Sequence, residues 1–106
     1  LDRDDREEVP QGYHMQYSMP DHPILKNVPF NNPVLLGYNK LILKKGADLI
    51  SCYKEDPIIS AWQYGKGRSV AFSSDCAPHW ASIEFCEWPG YTILWRNIVC
   101  WLSGNC

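Results

Sequence analysis

The apolar residues of this chain fall into three regimes. Before residue 33 they are scattered among prolines. From residue 34 to 73 they form short β-rich runs, and from 89 to 103 they recur at helical spacing. Pro10, Pro20, Pro23, Pro29 and Pro33 punctuate the first regime, so residues 1–33 are expected to be an irregular lead. Within it, His22-Pro23-Ile24-Leu25 reads as one apolar turn. His22 is biased to extended backbone by the proline that follows it, and reads as a turn residue more than a ligand. His14 has no informative neighbours. So long a lead is uncommon unless it lies against something, so a partner surface is expected.

In the second regime, residues 34–74, Val34–Tyr38, Lys40–Lys44 and Ala47–Tyr53 are expected strands. Lys45-Gly46 turns the chain between the last two, and Lys54-Glu55-Asp56-Pro57 turns it again. The clearest local signal follows. Ile58–Gln63 and Arg68–Ser73 are β-rich, and Tyr64-Gly65-Lys66-Gly67 joins them. Two glycines there supply the positive φ that a tight hairpin needs. On the second strand Val70 and Phe72 share one face, while Ser69, Ala71 and Ser73 share the other. Side chains that small suit close packing against another layer. Lys40, Lys44, Lys45 and Lys54 read as a solvated sheet edge.

Residues 75–106 contain a turn and then a helix. Tyr91, Leu94, Trp95, Ile98, Trp101 and Leu102 fall on one helical face. Pro89 suits the first turn and Gly104 the position just past the end. Such a heavy face must lie on a sheet or on other helices.

Composition narrows the class. A chain of 106 residues holds one domain and not two. With 45% hydrophobic and 21% charged residues, wholesale disorder is excluded. A net charge of -2 argues against a nucleic-acid partner. No apolar run approaches the roughly 20 residues of a membrane helix, so no membrane partner is expected. The opening Leu1-Asp2-Arg3-Asp4-Asp5-Arg6-Glu7-Glu8 has no secretory apolar core and no initiating methionine, which is expected of a piece of a longer protein and equally of a processed or trimmed chain. The five cysteines, Cys52, Cys76, Cys86, Cys100 and Cys106, include no Cys-x-x-Cys pair. They read as reduced thiols of a cytoplasmic protein, with Cys52 and Cys100 acting as small hydrophobes. No spacing advertises a metal site, and no cofactor is implied.

The chemically dense segment is Ser73-Ser74-Asp75-Cys76-Ala77-Pro78-His79-Trp80, just past the second hairpin strand. Ligands of open α/β sheets bind beyond the carboxyl ends of strands. Three readings stand side by side. Asp75 and its serine neighbours close a turn or cap a helix; or Ser74 and Trp80 contact a small-molecule ligand; or Cys76 is a thiolate nucleophile activated by His79, with Asp75 orienting the imidazole.

The strings Asp21-His22-Pro23-Ile24-Leu25, Gly37-Tyr38-Asn39, Tyr64-Gly65-Lys66-Gly67-Arg68, Ser74-Asp75-Cys76-Ala77-Pro78-His79-Trp80, Trp88-Pro89-Gly90-Tyr91 and Leu94-Trp95 resemble the putative glutamine amidotransferase family. This bacterial group is similar to class I amidotransferases and, more distantly, to ThuA-like proteins and the trimerisation domain of some β-galactosidases. The resemblance implies an α/β fold: the C-terminal portion of a flavodoxin-like three-layer sandwich, with a β-hairpin and a closing C-terminal helix. Its partner would be the N-terminal half of the same domain, which would carry the nucleophile elbow, and a homo-oligomer is also implied. Class I enzymes pair a late histidine with a glutamate two residues on. His79 stands where that histidine is expected, but Ala81 stands in the glutamate's place, and Glu84 lies three residues further. The expected function is therefore an amidotransferase-like domain with a ligand or catalytic site after the hairpin, or alternatively a non-catalytic binding or oligomerisation module. The exposed faces lead us to expect that the chain folds poorly alone.

Overall fold

A computed structural model describes residues 6–74 and 82–104. Its elements are β1 (Arg6–Tyr13), β2 (Gln16–Tyr17), a 3-10 turn (Pro23–Leu25), β3 (Leu35–Asn39), β4 (Asp48–Tyr53), β5 (Asp56–Tyr64), β6 (Gly67–Phe72), α1 (Ile83–Glu87) and α2 (Pro89–Ser103). β1 and β3 form a two-stranded sheet, and β2-β4-β5-β6 a four-stranded one. All four pairings are antiparallel. The described residues are thus a mixed α/β fold with antiparallel sheets and a C-terminal helix. No parallel pair occurs among them.

The hairpin forms where its sequence predicts, but only one of its two glycines takes a positive φ. Tyr64 pairs with Gly67 and Ile59 with Phe72, in unbroken register. Gly65, at the first of the two central positions, has φ 58, the left-handed backbone that glycine adopts at little cost. The register sorts side chains by size. Ile59, Ala61, Val70 and Phe72 share the face that α2 covers, where Phe72 meets Trp95 edge-on at 5.7 Å. Ser60, Trp62, Ser69 and Ala71 share the other.

The helix also matches its period. Pro89 starts it, and Gly104 ends it at φ 75, donating its N–H to Trp101 O at 3.1 Å. Gly90, Leu94, Ile98 and Trp101 form the buried stripe. Leu102, expected on that face, is exposed, because it lies on the flank that Tyr91 and Trp95 begin. Arg68 fastens the helix to the hairpin: Nη1 donates to Trp101 O at 2.6 Å, and the guanidinium lies 4.9 Å from the Trp101 ring centre.

Three expectations need correction. Residues 1–33 are not an irregular lead throughout, because β1 pairs with β3. Pro10 is tolerated there because the register shifts between Glu8 and Tyr13, where a missing N–H breaks no ladder bond. Gly12 sits in the same bulge at φ 84, and a Cβ there would meet Val34 Cβ at 2.7 Å. Asn32, buried, extends the order by mimicking a strand neighbour. Its Oδ1 accepts from Met15 N at 2.9 Å, and its Nδ2 donates to Met15 O at 3.1 Å.

The second correction concerns Lys40–Lys44, which is not a strand. Its composition is β-rich, but no neighbour among the described residues offers its backbone a ladder. Leu41 and Leu43 are exposed, and Ile42 is 96% exposed. The flanking lysines therefore lie on loops and turns, with Lys44 Nζ 4.1 Å from the Trp62 ring centre.

The third concerns the thiols. Cys52 and Cys86 are free, and burial pushes the Cys52 thiol up. Cys100 is disulfide-bonded instead. It sits on a half-buried flank of α2 and not in the buried stripe, so its sulfur is not walled in by the core.

Candidate functional site

The dense segment leaves the end of β6, the last strand of the larger sheet. Asp75, Cys76, His79 and Trp80 lie outside the described residues; Ser74 lies inside them. What the structure gives is the frame on either side. Ser73, buried, donates its hydroxyl to Pro57 O at 2.9 Å. It also couples the sheets, because Asn39 N donates to Ser73 O at 2.8 Å and Ser73 N to Ile58 O at 2.9 Å. Ser74 Oγ donates to Gly37 O of β3 at 2.7 Å. On the far side, Ser82 Oγ donates to Val34 O at 2.8 Å while accepting from Phe85 N at 3.0 Å. One hydroxyl thus serves as a tether to the residue before β3 and as the N-cap of α1. Residues 74 and 82 are both tied by side-chain hydroxyls to carbonyls around β3, three residues apart.

Glu84 was the remaining acidic candidate near His79. It is exposed in the first turn of α1, where a carboxylate favours the helix dipole.

The ground beneath Ser74 is aromatic. Tyr13, Tyr38 and Tyr53 make a cluster, with ring centres 5.5 Å (13–38), 4.5 Å (13–53) and 6.0 Å (38–53) apart. Tyr13 Oη donates to Gly37 O at 3.1 Å, the same carbonyl that Ser74 uses. Tyr38 Oη donates to Asp56 Oδ2 at 2.6 Å. Burial, reinforced by the Asp56 carboxylate, holds the Tyr38 phenol well above its ordinary range. Burial does the same for Tyr13, and the Ser74 hydroxyl partly offsets it. Both phenols are therefore neutral donors at any physiological pH. Tyr13 and Tyr38 can orient and donate. No sequence signal marked the cluster, because its members come from β1, β3 and β4 and meet only through the fold.

The other histidines are structural in this arrangement. His22 Nδ1 accepts from Ile24 N at 3.1 Å and so caps the 3-10 turn. Its Nε2 lies 3.5 Å from Asp48 Oδ2, and its ring stands 5.7 Å from that of Trp101. Burial lowers its pKa, and Asp48 only partly restores it. The turn reading of His22 therefore holds. His14 Nδ1 lies 2.5 Å from Asn32 O. Among the described residues no group of three or more His, Cys, Asp or Glu could hold a metal ion. No described helix is long and apolar enough to cross a membrane.

Two solved structures resemble this frame closely. Cytoplasmic protein STM3548 from Salmonella typhimurium is 37% identical, with a TM-score of 0.88 over 96% of this chain. Cytoplasmic protein STM1381 from Salmonella typhimurium LT2 is 38% identical, with a TM-score of 0.87 over the same 96%. This chain spans 41% of each of those proteins. No curated protein is significantly similar to it. The family model described as "Putative glutamine amidotransferase" matches residues 1–104. With nearly its whole length matched, the chain belongs to the putative glutamine amidotransferase family.

Proposed function

We propose that this chain is the later part of a cytoplasmic, amidotransferase-like α/β domain of flavodoxin-like, three-layer build, and that Ser74–Trp80 forms its small-molecule site. The observation that carries this is the paired tether. Ser74 and Ser82 fasten both ends of the stretch bearing Asp75, Cys76 and His79, through Gly37 O in β3 and Val34 O just before it. In the proposed role, His79 exchanges a proton with the substrate, Asp75 orients its ring, and Ser74 and Trp80 contact the ligand. The cytoplasmic setting rests on the descriptions of the two Salmonella proteins.

Glutamine hydrolysis by the complete polypeptide tests this. Turnover reduced at least a hundredfold by His79→Ala supports it. Turnover indifferent to that change removes His79 from the chemistry. A non-catalytic binding module is favoured by one specific observation: Ala81 stands where the glutamate of a class I pair belongs. Absence of turnover, with ligand binding that is lost in Ser74→Ala, would establish that second reading.

A further inference from the structure

Two neighbouring residues of β1 bear on both anchors of the tethered stretch. Tyr13, buried, donates Oη to Gly37 O at 3.1 Å, the carbonyl that takes the Ser74 hydroxyl at 2.7 Å. Gly12 packs against Val34 so closely that an added Cβ would come within 2.7 Å of the Val34 Cβ. Val34 O in turn takes the Ser82 hydroxyl at 2.8 Å. In sequence Tyr13 stands 24 residues before Gly37, and Ser74 stands 37 after it. The pairing of β1 with β3 brings the three together.

The bulge in β1 explains the reach. Glu8 stands opposite Gly37 and Tyr13 opposite Leu35, so β1 advances further than β3 between the two pairs. A bulge re-aims the side chain that leaves it. Here that side chain is Tyr13, whose hydroxyl passes its own partner, Leu35, to bond the carbonyl of Gly37. The ring is fixed by two neighbours, edge-on to Tyr38 at 5.5 Å and tilted against Tyr53 at 4.5 Å. A hydroxyl held by packing places its acceptor more tightly than one on a free side chain. Tyr38 gives its own hydroxyl to Asp56 Oδ2 and takes no part in either tether. The Ser74 hydroxyl partly offsets the effect of burial on the Tyr13 phenol, so the two hydroxyls bear on each other as well as on one carbonyl.

We propose that Tyr13 is the positioning residue of the candidate site: from the β1 bulge it holds Gly37 O in place, and through that carbonyl the hydroxyl of Ser74. The residue acts through Ser74 and touches no substrate itself. Gly12 supports the same arrangement from beside it, because only a residue without a Cβ lets β1 lie this close to Val34. The strand that opens the fold thereby sets the geometry at the exit of β6. The proposal rests on the reading of Ser74–Trp80 as the site, and names the residue that fixes its first member.

Hydrogen exchange of the complete polypeptide tests it, read by mass spectrometry on the peptide covering residues 74–82 and on one covering α2. Tyr13→Phe keeps the ring in its cluster and deletes the one hydroxyl. It should speed exchange of the 74–82 peptide about fivefold, the size of one net hydrogen bond, and leave the α2 peptide unchanged. Tyr17→Phe is the matched control. It deletes a β2 phenol that donates to Pro29 O at 2.8 Å, and should move neither peptide. In the Ser74→Ala background Tyr13→Phe should add nothing, since the two hydroxyls act through one carbonyl. Where glutamine is turned over, Tyr13→Phe should lower kcat about tenfold and leave KM within about twofold, the mark of misplacement without a lost substrate contact. Exchange of the 74–82 peptide unmoved by Tyr13→Phe overturns the proposal. So does faster exchange of both peptides, which is plain loss of stability, and so does an effect undiminished in Ser74→Ala. The exchange measurement needs no chemistry, whereas the site reading fails on turnover indifferent to His79→Ala, so the two failures are told apart.

Discussion

The two faces of the β5–β6 hairpin carry different residues for different reasons. On one, Ile59, Ala61, Val70 and Phe72 meet a helix whose stripe is Leu94, Ile98 and Trp101. On the other, exposed Ser69 and Ala71 and half-buried Ser60 stand beside one aromatic, Trp62, which stacks on Tyr64 at 5.5 Å. A solvent face of an antiparallel sheet usually carries long polar and charged side chains. This one carries small residues and a tryptophan. The difference teaches that alternation alone does not separate core from water. Side-chain size separates the two faces where alternation does not.

The sharpest way to break that comparison is truncation on the covered side. Leu94 is 1% exposed, in the middle of the helix stripe. Leu94→Ala should cost about 3 kcal/mol, the transfer and cavity cost of an inaccessible leucine. Ala71→Asp on the bare face should stay within about 0.5 kcal/mol in the isolated chain. Urea unfolding of the two variants beside the parent checks the pair. Equal losses would mean that the bare face is covered after all.

Next in size is the clasp between the faces. Arg68→Ala removes the charge-assisted bond to Trp101 O and the guanidinium stacked on the indole, at the carbonyl end of the helix. The expected loss is about 1–2 kcal/mol. Arg68→Lys should recover only part of it, because an ammonium lacks the planar fork. Full recovery by lysine would reduce the clasp to simple charge.

How much of this was legible from sequence depends on where each signal resides. The hairpin and α2 were legible because glycine positions, register and a 3.6-residue period are local. β1 was not, because Pro10 reads as a breaker and only the register shift opposite β3 shows why it is harmless. Lys40–Lys44 misled in the opposite direction: its β-rich composition was real, but a strand also requires a neighbour. α1 was missed because a single anchor, Phe85, carries no period. Of the candidate site, the dense segment itself was visible, and its tethers were not. Nothing in Ser74 or Ser82 announces a carbonyl at Gly37 or Val34, and the tyrosine cluster is assembled from three separate strands.

His22 sharpens the comparison through pH, since it ties the 3-10 turn to Asp48 of β4 and Trp101 of α2. Burial lowers its folded pKa below the ordinary value of 6.5, so the unfolded chain binds the extra proton more readily. Stability is therefore fully present above pH 6.5 and falls as the pH drops below it. Thermal midpoints measured from pH 7.5 to 5 should decline for the parent and decline less for His22→Asn, which keeps a capping acceptor. A slope unchanged in the variant would assign the decline to other groups.

The smallest effect separates the two turns of the larger sheet. Gly65 takes its left-handed backbone freely, but Lys54, at the turn between β4 and β5, has φ 55 with a Cβ attached. Tyr53 pairs with Asp56 across it, so the sheet register holds Lys54 in that conformation. Lys54 Nζ lies only 5.5 Å from the Tyr53 ring centre, a weak return on an exposed surface. Lys54→Gly removes the clash of Cβ with the backbone and loosens the unfolded chain, two terms of opposite sign. Relief of strain should win by about 0.5 kcal/mol, because a left-handed non-glycine residue costs roughly 1–2 kcal/mol. Gly65→Ala should move the other way by about 1 kcal/mol, for the same reason in reverse. If Lys54→Gly destabilises the fold, the Tyr53 contact outweighs the strain, and the β4–β5 turn is held by its side chain instead of by the register of its strands.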